Sequence, residues 1–112
     1  MDITLATLIG SKSNDVILSG ETAFKQKKNH PDVIPEDYLE VMRNLSNYQI
    51  LIRHKGGKKL LFFVVNSKLY EVIIKATKTG DELYLVSMYR TDEGKINSEA
   101  RKGEILDDKR QK

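Results

Sequence analysis

The side chains in this chain that could do chemistry are cations and hydroxyls: Lys25, Lys28, His30, Arg53, Lys75, Thr77, Ser87, Tyr89 and Arg90. A set of this kind suits cleavage of RNA without a metal. A base takes the proton of a 2′-hydroxyl, and the oxygen attacks the neighbouring phosphorus. Cations hold the charge that develops on the phosphorane, and an acid protonates the departing 5′-oxygen. His30 is the natural proton carrier of the set, Lys75 and Arg90 the cations, and Lys25 a phosphate contact. Ser87 would orient the phosphate or base, and Lys28, Arg53, Thr77 and Tyr89 would line the substrate. Other chemistries find no support. The two histidines, His30 and His54, lie in separate segments without metal-ligand spacing, and no glycine-rich phosphate loop precedes a helix. No metal and no cofactor is expected.

Each candidate also has a plain structural reading. Lys27 and Lys28 fit a solvated helix face. A cation at His30 suits a helix end for its dipole alone. His54 abuts a glycine turn, and Ser87 fits a small buried hydroxyl bonded to backbone. Arg90 fits a cross-strand ion pair with Glu71. Lys75, in mid-strand, is the hardest to dismiss, because a lysine there needs an exposed sheet face or a partner.

Two strands joined by a turn position most of the set. Residues 68–91, KLYEVIIKATKTGDELYLVSMYRT, carry β-branched and aromatic residues on both arms, with Gly80-Asp81 as a two-residue hairpin loop. In that register Lys75 faces Val86, Thr77 faces Tyr84 and Glu71 faces Arg90. One sheet face then holds Glu71, Lys75, Thr77, Tyr84 and Arg90. The other holds Val72, Ile74, Ala76, Leu83, Leu85 and Tyr89 with Ser87, and reads as core. This leaves a conflict, since Ser87 and Lys75 point to opposite faces. Either a bulge re-aims one of them, or the Lys75–Arg90 face alone is the site.

The remaining elements surround that hairpin. Residues 2–9 fit a short strand or a helical turn, and residues 10–15 a loop; residues 16–18 fit an edge strand. Ser19 is placed to cap a helix over residues 20–29, whose apolar side is Ala23 and Phe24. Pro31 ends it, leaving His30 just past a lysine-rich helix end. Pro35 opens a second helix, with Glu36 and Asp37 in its first turn and Tyr38, Met42 and Leu45 at helical spacing. Residues 48–54 alternate as a strand, Gly56-Gly57 turns the chain, and residues 59–66 are apolar on both faces, as in a central strand. The expected fold is α+β: two N-terminal helices packed on a four-stranded antiparallel β-meander. Its parts are an N-terminal extension over residues 1–15, a single domain over 16–94, and a charged tail over 95–112. The tail is expected to fray, with a short helix or strand near residues 98–106.

Composition narrows the setting. The 112 residues are 39% hydrophobic and 31% charged, as in an ordinary globular domain. No apolar run is long enough to span a membrane, and the N-terminus lacks the basic region of a signal peptide. With zero cysteines, thiolate catalysis and disulfides are excluded, in keeping with a cytoplasmic setting. A net charge of +3 leans mildly towards an anionic partner.

The order of these features resembles the phage-type nucleases of the barnase–EndoU–colicin–RelE-like (BECR) superfamily. The resemblance rests on "VILSGETAFKQKKNHPDVIPEDY", then a strand hairpin, then "VIIKATKTGDELYLVSMYRT". It spans residues 16–91 as a pattern of short elements and not as one diagnostic motif. It implies helices on one face of a four-stranded antiparallel sheet and metal-independent ribonuclease activity, as a toxin or a phage-associated domain. By position it implies catalytic roles for His30, Lys75, Ser87 and Arg90, with Lys25 as the helical lysine and Tyr89 as a weaker match. RNA, including tRNA, is the expected substrate, cut to a 2′,3′-cyclic phosphate, and an acidic immunity or antitoxin protein is the expected partner. Fold membership does not establish activity. A non-catalytic RNA- or protein-binding module and a structural domain of a phage particle are the rival readings.

Overall fold

Lys59–Asn66 (KLLFFVVN) is apolar at nearly every position because helices cover both of its faces. Among the described residues it is one strand of a six-stranded mixed sheet in an α+β fold with four α-helices. The computed structural model describes residues 1, 3–54 and 57–110. The strands are β1 (Val16–Ile17), β2 (Ile50–Arg53), β3 (Lys59–Asn66), β4 (Lys68–Ala76), β5 (Leu83–Arg90) and β6 (Glu104–Asp108), in the spatial order β1-β5-β4-β3-β2-β6. The helices are α1 (Ile3–Leu8), α2 (Gly20–Asn29), α3 (Pro35–Arg43) and α4 (Glu93–Lys102).

The expected sheet of four strands and layer of two helices was too small. β6 adds to β2 antiparallel, and β1 pairs with β5 in parallel at Leu83 and Tyr84. The core also crosses the expected boundaries. Ala6 and Ile9, from the expected extension, are buried among α3 and strands β2 to β5. Ile96, from the expected tail, packs on Ile50, Ile52, Leu61 and Phe63 from the other side. The expected tail holds both a helix and an edge strand through Asp108, longer than the short helix or strand expected near residues 98–106. Each sheet face has one helical cover: α1 and α3 lie on one, α4 on the other.

Local chemistry sets the ends of these elements. Ser19 Oγ accepts from the Thr22 amide at 3.1 Å and starts α2, and Asp92 Oδ1 accepts from the Lys95 amide at 3.1 Å and starts α4. Pro35 opens α3, and the Asp37 carboxylate accepts from the Ile34 amide at 3.0 Å. α2 ends at His30, whose amide donates to the Gln26 carbonyl at 2.7 Å. Gly56, half of the expected Gly56-Gly57 turn, lies outside the described residues.

The β4–β5 hairpin departs from expectation in its loop, and of the two expected resolutions of the Ser87–Lys75 conflict it takes the bulge. Its loop is not Gly80-Asp81 alone but runs from Lys78 to Asp81, closed by the Thr77 amide donating to the Glu82 carbonyl at 3.0 Å. Gly80 takes φ +77° there, and a Cβ would overlap the Gly10 carbonyl oxygen. Further along, Ile73 faces Ser87 but Ile74 faces Leu85, so Val86 is an extra residue on β5, a β-bulge. Because side chains alternate, one extra residue inverts every side chain beyond it. Ser87 and Tyr89 therefore join Lys75, Glu71 and Tyr84 on the α4 face. Arg90 moves to the opposite face, across from Tyr70 and not Glu71.

Candidate functional site

α2 lies along the outer edge of β5, beyond the two residues that β1 reaches. One side chain holds it there. Gln26 is buried on a helix of mostly exposed residues. Its amide nitrogen donates to the Met88 carbonyl at 2.6 Å and to the Tyr38 hydroxyl at 2.7 Å. Its carbonyl oxygen accepts from the Met88 amide at 3.3 Å and from the Ser87 hydroxyl at 3.0 Å. The primary amide thus pairs with a strand peptide group as another strand would.

A shallow pocket of about 340 Å³ opens between this helix and the strand. Lys25, Gln26, Asn29 and His30 line one wall, and Tyr84 and Ser87 the other. A larger cleft of about 950 Å³, between Met1, Met42, Tyr48 and Lys109, contains none of the sequence candidates.

His30 stacks on Tyr89, with ring centroids 5.2 Å apart and planes 17° from parallel. The Tyr89 hydroxyl donates to Glu71 Oε1 at 2.6 Å. Glu71 is 1% exposed, and burial pushes its carboxyl above the usual range while the Tyr89 hydrogen bond pulls it back. Burial, and then the Glu71 carboxylate, push the Tyr89 phenol up, so it stays a neutral donor. The floor under His30 is therefore a fixed Tyr89–Glu71 pair. Both His30 ring nitrogens lack a protein hydrogen-bond partner among the described residues.

The site thus brings together part of the expected set. His30, Ser87 and Lys25 line the pocket, and Tyr89 backs it. Lys25 Nζ is exposed and 3.1 Å from Glu21. Lys75 is exposed on the same sheet face, across from the pocket-lining Tyr84. The other candidates are elsewhere. Arg90 pairs with Asp32, Nε to Oδ2 at 3.3 Å, on the opposite face. Arg53 pairs with Leu60 on that same opposite face and is three strands from β5, about 14 Å at 4.8 Å per strand. Lys28 is exposed and is not among the residues that line the pocket. Thr77 Oγ1 accepts from the Glu82 amide at 3.3 Å, a structural role in the hairpin loop.

Gln26, Tyr84 and Glu71 were missed as a supporting group. Gln26 had a legible signal: it occupies a helix position, three after Ala23, where periodicity asks for an apolar residue. Glu71 had none, since its partner depends on the bulge. Among the described residues, no three His, Asp or Glu side chains are grouped to hold a metal ion. Comparison with family models, curated proteins and solved structures finds no match to the chain.

Proposed function

We propose that the chain is an RNA endonuclease that needs no metal and cuts at the pocket between α2 and β5. The observation that carries this reading is His30: an imidazole with both nitrogens unpartnered among the described residues, held against Tyr89 in one pocket with a lysine and a hydroxyl. The segment from α2 to β5, with its two helices and four consecutive antiparallel strands, is the part we assign to a BECR-type core.

His30 takes the proton of the 2′-hydroxyl, and the oxygen attacks the adjacent phosphorus. The P–O5′ bond breaks, the 5′-oxygen leaves as an alcohol on taking a proton from the Lys25 ammonium, and the product is a 2′,3′-cyclic phosphate. Lys75, across from Tyr84 on the same sheet face, adds positive potential on the strand side of the pocket. Ser87 has a narrower role than its residue type allows. Its hydroxyl proton is committed to Gln26, so towards the pocket it offers lone pairs and suits a donor group on the ribose or base. Arg90, engaged with Asp32 on the other face, has no part in this reading.

The test is incubation of the purified protein with tRNA and a mixed RNA pool, with and without EDTA, beside His30→Ala. Discrete EDTA-resistant fragments ending in 2′,3′-cyclic phosphate, made by the wild type alone, support the reading. Intact RNA over a wide protein range, or equal cleavage by His30→Ala, overturns it.

A further inference from the structure

Lys59 on β3 and Lys75 on β4 stand directly opposite each other, and Tyr84 follows Lys75 on β5. Directly opposed residues have Cβ atoms about 4.5–5.5 Å apart, and like charges so placed destabilise a sheet. Neither lysine has an ion-pair partner among the described residues. The acidic side chains nearby in sequence are engaged: Asp81 lies 4.0 Å from Lys12, and Glu82 accepts from Tyr84. At the same end of the sheet, Lys58 Nζ donates to the Thr77 and Lys78 carbonyls, so its charge is fixed there as well. On α4, by contrast, Lys95 and Lys102 share Glu99. A pair of cations without an ion-pair partner among the described residues, Lys75 exposed and Lys59 half-buried, is a local cost to the sheet.

The pair is also placed to continue the pocket. Ser87, which lines the pocket, faces Ile73, and Lys75 is two residues along β4 from Ile73. Two residues of strand span about 6.6 Å, roughly one backbone step of an extended nucleic-acid strand.

We propose that Lys59 and Lys75 form a subsite for the phosphate next to the scissile one, so that the preferred ligand is an RNA strand and not a mononucleotide. The inference rests on the proposed function for the kind of polymer, but its test reads binding alone. The probe is a labelled single-stranded RNA with 2′-O-methyl riboses, which cannot form the cyclic phosphate. Its affinity is measured by fluorescence anisotropy over a range of salt for wild type, Lys59→Gln and Lys28→Gln. A lost phosphate contact lowers the slope of log K against log[salt] by about 0.7 for single strands. Lys59→Gln should show that decrease, with several-fold weaker binding at low salt, while Lys28→Gln matches wild type. Lys59→Gln should also melt no lower than wild type, because one half of a repulsive pair is gone. No RNA binding by wild type, an unchanged slope in Lys59→Gln, or equal losses in the two variants would overturn the subsite. If the slope falls as expected but ordinary RNA stays uncut, the subsite stands and the nuclease reading falls.

Discussion

Replacing Gln26 by Leu keeps the volume of the side chain and removes its hydrogen bonds. Two of its partners, the Ser87 and Tyr38 hydroxyls, are half-buried and can turn to water. The other two, the Met88 N–H and C=O, belong to a residue with no exposed surface. An unsatisfied buried backbone group costs about 1–3 kcal/mol. Two such groups, less about 1 kcal/mol gained by the more apolar side chain, give a net loss of about 1–5 kcal/mol, with a central value of about 3 kcal/mol. Against a total of about 5–15 kcal/mol for a domain, that is a large fraction. The midpoint of thermal unfolding should fall by about 10–15 °C. The assay is urea unfolding followed by far-UV circular dichroism, since the chain has no tryptophan, with the slope m checked for constancy. Gln26→Glu sharpens the test. A carboxylate oxygen in place of the amide nitrogen would meet the Met88 carbonyl at 2.6 Å, so the acid must be protonated to fit. Its folded pKa is then raised, and the stability it contributes is present at low pH and lost as pH rises through that value. A loss under about 0.5 kcal/mol for Gln26→Leu, or a pH-independent loss for Gln26→Glu, would refute the account of how α2 is held to β5.

Arg90→Ala removes an ion pair whose side chains are 41% and 48% exposed; it should cost less than about 1 kcal/mol and leave RNA cleavage intact. A tenfold loss of cleavage in that variant would return Arg90 to the site. Glu71 has a raised carboxyl pKa in the fold, so its contribution to stability grows as pH falls through that value and is lost as pH rises. The stability of wild type relative to Glu71→Gln should therefore improve between neutral pH and about pH 4, the model-peptide range for this group, in paired urea titrations; a constant difference would contradict the burial argument. Gly80→Ala meets both a left-handed backbone and the Gly10 carbonyl. It should cost more than the roughly 1 kcal/mol that αL geometry alone imposes, read as a lowered thermal midpoint, and a neutral result would refute that packing.

The local features of this chain were written in short stretches of sequence, and their physical causes are local too. Ser19 caps α2, Pro31 limits it to a terminus at His30, Pro35 opens α3, and β-branched and aromatic runs between residues 48 and 90 make strands. The residue types of the pocket, a histidine beside lysines and a serine on a late strand, were likewise visible. Tertiary structure decided which of them meet. A single extra residue, Val86, turns Ser87 and Tyr89 to the Lys75 face and Arg90 away from it. No pattern of alternation reveals a bulge, because the inverted stretch alternates as well as the original one. The helix α1 looked peripheral because its short apolar run fits a strand as well as a helical turn, and α4 and β6 because their apolar residues are few. Ala6, Ile9 and Ile96 acquire their partners only when the sheet brings both of its faces within reach. The same holds for Gln26: its polarity at a core position was legible, but the strand edge that it completes exists only in the folded chain.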